Sequence, residues 1–225
     1  MKHPDSFTYN QLLTKEYLSS YVLSIGLLVL AFVAEHFSTL YAHIYIKRPT
    51  SLYVGDLLLD NLPVVNMNFI IIEGALWSIV ASVFLVLYHP RKILFTLKTV
   101  ALLITIRAFF ISLTHVGIYP GQITPGDGFH DAVYMYFNFQ NGYFFSGHTS
   151  MPFLMGLIFW EQKYIRYGYF VLSFVFGVSV LLAHSHYSID VLAAPFMAYG
   201  IYHVARKLFA DDYKLMRGEH KVALD

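Results

Sequence analysis

The sequence predicts an all-α fold: a bundle of six membrane-crossing helices, both termini cytoplasmic, with a candidate active site at the exoplasmic face. Three observations carry that prediction. Of 225 residues, 57% are hydrophobic, 18% aromatic and only 13% charged, which is too apolar for a soluble domain of that size. Six apolar runs each approach the roughly 20 residues that a helix needs to cross a hydrocarbon core. Lys and Arg collect in alternate short flanks, as they do on the cytoplasmic side of multi-pass proteins.

The runs fall at 17–35, 66–88, 93–114, 145–160, 169–184 and 187–209. They divide the chain into a cytoplasmic segment 1–16, a membrane catalytic domain 17–209 and a cytoplasmic tail 210–225. No small-residue cleavage site follows the first run before Glu35 and His36, so it reads as an uncleaved span and not a secretory signal. Between the first two runs lie an Ile-Lys-Arg-Pro turn and the segment from Gly55 and Asp56 through Asp60 to Pro63; between the third and fourth lies a Gly/Pro-rich, then aromatic, loop without Lys or Arg. Pro195 in the last run reads as a tolerated kink. Lys2, Lys15, Arg91, Lys92, Lys163, Arg166, Arg206, Lys207, Lys214, Arg217 and Lys221 share one side of this topology; Lys47 and Arg48 are the exceptions.

A formal charge of +1 without a basic block gives no reason to propose a nucleic-acid partner. The absence of cysteine removes disulfides, thiolate metal sites and cysteine nucleophiles together. Asp127, His130 and Asp131 match no zinc or calcium ligand spacing and read as a solvated loop.

Chemistry concentrates in residues 183–191, where His186 and Asp190 lie four apart. On a helix that spacing puts them on one face, a turn apart, so that the carboxylate can orient the imidazole. A second histidine, His148, opens the fourth run. The predicted topology starts the fourth and sixth runs on the same exoplasmic side, so His148 and His186 are expected in the first turns of two helices that can meet. Such turns present unpaired N–H groups and the positive dipole end to a phosphate, with Ser146 and Ser185 as expected N-caps. His184 reads as solvating the turn.

Glu73 and Arg107 lie about seven residues inside the outer ends of adjacent runs, roughly 10 Å deep at 1.5 Å per residue. They form either a pair closed on itself, or a chamber in which Arg107 contacts a lipid phosphate and Glu73 lines the wall. Asp56 and Asp60 are either idle loop carboxylates or rim residues of the same cleft. Tyr134, Tyr136, Phe137, Phe139, Tyr143 and Phe144 crowd the approach to His148, where aromatic faces can hold a quaternary ammonium.

Ser146-Gly147-His148-Thr149, followed by His186-Tyr187-Ser188-Ile189-Asp190-Val191, resembles the paired motifs of the sphingomyelin synthase family, a branch of the type-2 phosphatidic acid phosphatase superfamily. Gly55 to Pro63, Glu73, and Arg107 with Thr114 resemble its other signatures in order. The resemblance implies a six-helix enzyme, without metal or cofactor, that moves a phospho-headgroup from a glycerophospholipid donor to a ceramide acceptor within the bilayer. It implies that His186 attacks phosphorus, Asp190 orients it, and His148 protonates the departing diacylglycerol and then deprotonates ceramide. Arg107, Glu73, Asp60, Ser146, Gly147 and Tyr187 are then expected to bind substrate. Two positions depart from the pattern. Val180 stands where the wider superfamily carries an arginine, which favours a phosphodiester over a dianionic monoester, and Ser185 stands where many members carry Asp. The chain also lacks the long cytosolic tails of the animal enzymes, as expected of a minimal or bacterial version; a bacterial inner membrane and a eukaryotic Golgi or plasma membrane stay equally open. A lipid phosphohydrolase or phospholipase C-type enzyme using water, and a non-catalytic lipid-binding protein, are the alternatives.

Overall fold

The computed structural model describes residues 9–12, 14–46, 48, 52–113, 115–123 and 143–219. Asp127, His130, Asp131, Thr114 and the aromatic residues from Tyr134 to Phe139 lie outside them. Every regular element among the described residues is a helix: α1 (Tyr9–Leu12), α2 (Lys15–Ile46), a π-helical turn Phe69–Gly74 running into α3 (Ala75–Tyr88), a 3₁₀ turn Pro90–Lys92, α4 (Ile93–Leu113), α5 (Gly147–Ile158), α6 (Lys163–Leu182), α7 (Ser188–Leu208) and α8 (Ala210–Arg217).

Four stretches are long and apolar enough to cross a membrane: Lys15–Ile46, Phe69–Tyr88, Pro90–Leu113 and Lys163–Leu182. Only 11% of the most apolar window of α2 is buried inside the protein. Its outward residues include Leu30, Phe37 and Ile44, more than half exposed, a surface that water would not tolerate on this scale. These helices and the composition make this a membrane protein. The predicted 17–35 run is too short. No breaker follows Glu35, so α2 continues to Ile46 and leaves Glu35 inside the helix, where a charge needs a partner. The predicted 145–160 run shrinks to the 12 residues of α5, about 18 Å at 1.5 Å per residue and short of a ~30 Å hydrocarbon core.

The helices alternate in direction, and their side-chain contacts fix the register. Ser20 and Ser38 of α2 meet the beginning and end of α4, through Lys98 (2.6 Å) and the Ala108 carbonyl (2.5 Å). α5 packs antiparallel on α6, with the Ser173 hydroxyl donating to the Thr149 carbonyl (2.7 Å). Glycine allows the close approach: a Cβ at Gly177 would stand 3.0 Å from Val191 and 3.5 Å from the Thr149 hydroxyl. The main core lies between α4, α5 and α7, around Phe95, Phe145, Leu154, Phe159, Ala194 and Ala198.

The two ends of the bundle differ. At one end, Lys98 pairs with Asp212 of α8 (2.5 Å), Lys92 donates to the Ile158 carbonyl (3.0 Å), and Arg217 pairs with Glu161. At the other end stand His148, His186 and the loops carrying Asp56 and Tyr119.

Candidate active site

The site is built where α5 and α7 begin. A backbone bond ties the two helix starts together, the Ser146 N–H donating to the Asp190 carbonyl (2.9 Å). The His148 and His186 rings then face each other, centroids 6.3 Å apart and inclined at 66°. His186 does not occupy a first helical turn as predicted. α7 begins at Ser188 with Tyr187 as N-cap, because the Asp190 carboxylate folds back to accept the Tyr187 N–H (3.1 Å) and closes the helix there. His186 precedes the cap, yet its Nδ1 still lies 3.4 Å from Asp190 Oδ2, and both residues are 4% exposed. That contact occupies Nδ1 and leaves Nε2 as the nitrogen available to a substrate.

Ser185 is not a cap; its hydroxyl turns back to the Val180 carbonyl (3.2 Å). Ser146 does stand at the N-cap of α5, but its hydroxyl caps nothing and is fully buried without a hydrogen-bond partner among the described residues, as are those of Thr149 and Ser150. Buried polar atoms in native proteins nearly always find partners. An unsatisfied hydroxyl beside two histidines and a helix N-terminus is therefore a ready donor for ligand oxygens. His184 is buried and not solvating the turn: with φ of 52° it ends the bend after α6, its Nδ1 3.4 Å from the Pro120 carbonyl.

Arg107 takes a partner that neither reading of the Glu73 and Arg107 positions included. Its guanidinium donates to Glu35 of α2 and, through Nε, to the Phe145 carbonyl (3.4 Å). Arg107 lies against the first turn of α5, where a Cβ at Gly147 would meet that Nε at 3.6 Å, an ordinary van der Waals contact. Glu35 was missed in the sequence because the first span appeared to end there; the signal available was an acidic residue with no breaker after it. Glu73 is half-buried in the π-helical turn, two residues from Ile71, whose backbone adjoins His148. Such turns shift the carbonyl register and recur at functional sites. Phe176 packs on the other side of His148, ring centroids 6.1 Å apart.

The loop residues seal the outer side. Tyr143 and Tyr119 pack edge-on against Tyr187 at 5.3 and 5.7 Å, and Tyr143 reaches His186 at 6.3 Å. Burial raises the Tyr143 hydroxyl above its usual range. Asp60 is exposed and accepts the Tyr119 hydroxyl, which pushes that group up to about 12. The Tyr187 hydroxyl donates to the Gly117 carbonyl (2.8 Å) and accepts the Val54 N–H (3.3 Å). Asp56 is buried and caps α7. Burial works against its carboxylate, but the N–H groups of Ser188, Leu59 and Leu58 outweigh that and hold it below its ordinary 3.8. Among the described residues, no group of three or more His, Cys, Asp or Glu is gathered to hold a metal ion.

Residues 141–207 match the family described as PAP2 superfamily C-terminal. The matched stretch contains His148, His186 and Asp190 and ends within α7; Glu35, Asp56, Glu73 and Arg107 lie before it. It supports the type-2 phosphatidic acid phosphatase superfamily, and with it an enzyme acting as a lipid phosphatase or phosphotransferase. No curated protein and no solved structure matches the chain.

Proposed function

We propose that this chain is a phosphodiester headgroup transferase that moves a phospho-headgroup from a glycerophospholipid to ceramide, through a phosphohistidine on His186. The observation that carries the reading is the facing pair of histidine rings, 6.3 Å apart, with Asp190 on Nδ1 of one of them. His186 Nε2 attacks phosphorus while Asp190 holds the proton on Nδ1. The bond from phosphorus to the glycerol oxygen breaks, and His148 donates a proton to that oxygen, releasing diacylglycerol. Neutral His148 then takes the proton of the ceramide hydroxyl, whose oxygen attacks phosphorus; the N–P bond breaks and His186 is restored. Positioned acid–base help of this kind is typically worth ~10² to 10⁴ in rate.

Charge balance favours a diester donor. Among the described residues Arg107 is the cation beside the α5 mouth, and Glu35 already offsets it. A monoester dianion brings about two negative charges to a site with little net positive charge, whereas a diester brings one. Arg107, Ser146 and Gly147 hold the phosphate in this reading, Tyr187 closes the outer wall, and Glu73 and Asp60 border the chamber. Six spans, cytoplasmic termini and an exoplasmic site belong to the same proposal. The uneven ends of the bundle support it, with Lys92, Lys98 and Arg217 gathered opposite the histidines. Water as the acceptor is the second reading, favoured because the superfamily includes phosphatases.

The test uses purified full chain with fluorescent ceramide and, in turn, phosphatidylcholine, phosphatidylethanolamine, phosphatidylinositol or phosphatidylglycerol. A phosphoceramide product that vanishes in His186→Ala is expected. Diacylglycerol formed equally well without ceramide favours hydrolysis instead. Wild-type turnover by both His148→Ala and His186→Ala on a lipid that the chain processes would overturn the catalytic reading.

A further inference from the structure

Asp56 takes no part in the proposed reaction, yet the fold buries it to 7% exposure and satisfies both its oxygens. Oδ1 accepts the N–H groups of Leu58 (3.0 Å) and Leu59 (3.2 Å), which shapes its own turn. Oδ2 crosses to another segment and accepts the Ser188 N–H at 2.7 Å. Ser188 is the first residue of α7, so its N–H has no partner inside the helix. The next residue back, Tyr187, gives its N–H to Asp190, the carboxylate that also meets His186. Two adjacent N–H groups are thus held by two carboxylates, one of which orients the nucleophile.

The same loop grips this step a second time. The Val54 N–H donates to the Tyr187 hydroxyl (3.3 Å), and that hydroxyl donates to the Gly117 carbonyl (2.8 Å). Residues 52–65 therefore act as a clamp on the start of α7. Because His186 precedes the helix and has no helical hydrogen bonds to fix it, its placement depends on where that start is pinned.

We propose that Asp56 is a positioning residue: by accepting the Ser188 N–H it holds the start of α7, and through it the alignment of Asp190 with His186. This rests on the phosphohistidine reading of His186. Asp56 touches no reacting group; it fixes the frame in which Nδ1 keeps its proton toward Asp190 and Nε2 faces phosphorus. Misplacement of about 1 Å at such a centre can cost on the order of 10²-fold in rate.

Two variants break the contact from opposite sides. Asp56→Ala removes the acceptor. Ser188→Pro removes the N–H together with the side-chain hydroxyl and sets the ring where the carboxylate accepted, while the backbone accommodates it: proline is suited to the first helical position, and Tyr187 already has φ −68° and ψ 154°, the extended conformation that a residue before proline prefers. Each single variant should lower kcat about 10- to 100-fold with the lipid KM within about twofold, and the double variant should be no slower than the slower single. In ¹⁵N spectra of the full chain in micelles, the His186 imidazole, assigned with His186→Ala, should lose the pattern of a ring protonated at Nδ1 in both variants.

Normal turnover and an unchanged His186 spectrum in Ser188→Pro, with Asp56→Ala inactive, would overturn the proposal by showing that Asp56 acts on substrate directly. Wild-type kcat in Asp56→Ala would overturn it as well. If Asp56→Ala fails to fold, Ser188→Pro carries the test alone. Failure of the underlying function is distinct, because it shows as activity surviving in His186→Ala whatever happens at Asp56.

Discussion

The Glu35–Arg107 pair supplies the sharpest stability prediction, because its energetics differ in kind from those of a surface ion pair. The two side chains are 15% and 9% exposed, and Glu35 Oε2 is buried with no hydrogen-bond partner among the described residues. Glu35→Leu would take the carboxylate away from a buried guanidinium, at a cost of about 3–5 kcal/mol. Arg107→Leu strands the glutamate at a similar cost. If the two losses were independent, the double variant would be destabilised by about 6–10 kcal/mol. Replacing both charges with apolar groups instead removes the desolvation penalty along with the attraction, so the double Leu variant should range from neutral to about 4 kcal/mol more stable than the native chain. Equilibrium unfolding from detergent micelles, followed by circular dichroism across the four-protein cycle, measures the coupling directly. Coupling below about 1 kcal/mol, the value for an exposed pair, would refute the reading of a desolvated ion pair. The double variant should still be inactive if Arg107 meets the phosphate, which separates its contribution to function from its contribution to the fold.

Two further outcomes follow from single side chains. Ser146→Ala should change stability by less than about 0.5 kcal/mol, well under the ~1 kcal/mol that a working N-cap contributes, while raising the lipid KM; unfolding curves and steady-state kinetics on the same preparation check both. Asp56 should make stability fall at acid pH. Its folded pKa lies below 3.8, so the unfolded chain takes up the proton first. Its contribution is present above the unfolded pKa and is lost as pH falls through 3.8 toward the lower folded value. Unfolding free energies between about pH 3 and 7 should show this slope reduced in Asp56→Asn; an identical slope would remove Asp56 from the account.

The sequence by itself determined the helical class, the membrane setting and most helix positions, since each follows from the length and composition of local runs. It also indicated that His148 and His186 could meet, because alternation of spans puts the starts of the two runs on one side. Where local pattern was the wrong guide, the tertiary structure decided. The α2 helix runs on past Glu35 because Arg107 of α4, seventy-two residues away, satisfies the charge that had marked its end. The helix at His186 begins two residues later than spacing implied, because the Asp190 carboxylate captures the Tyr187 N–H. The fate of Asp56, evenly balanced between idle and functional in the sequence, depends on an N–H donor 132 positions away. In each case the deciding term is the demand of a buried charge or backbone group for a partner. That demand is local, but the residue that meets it comes from another part of the chain, and only the fold brings the two together.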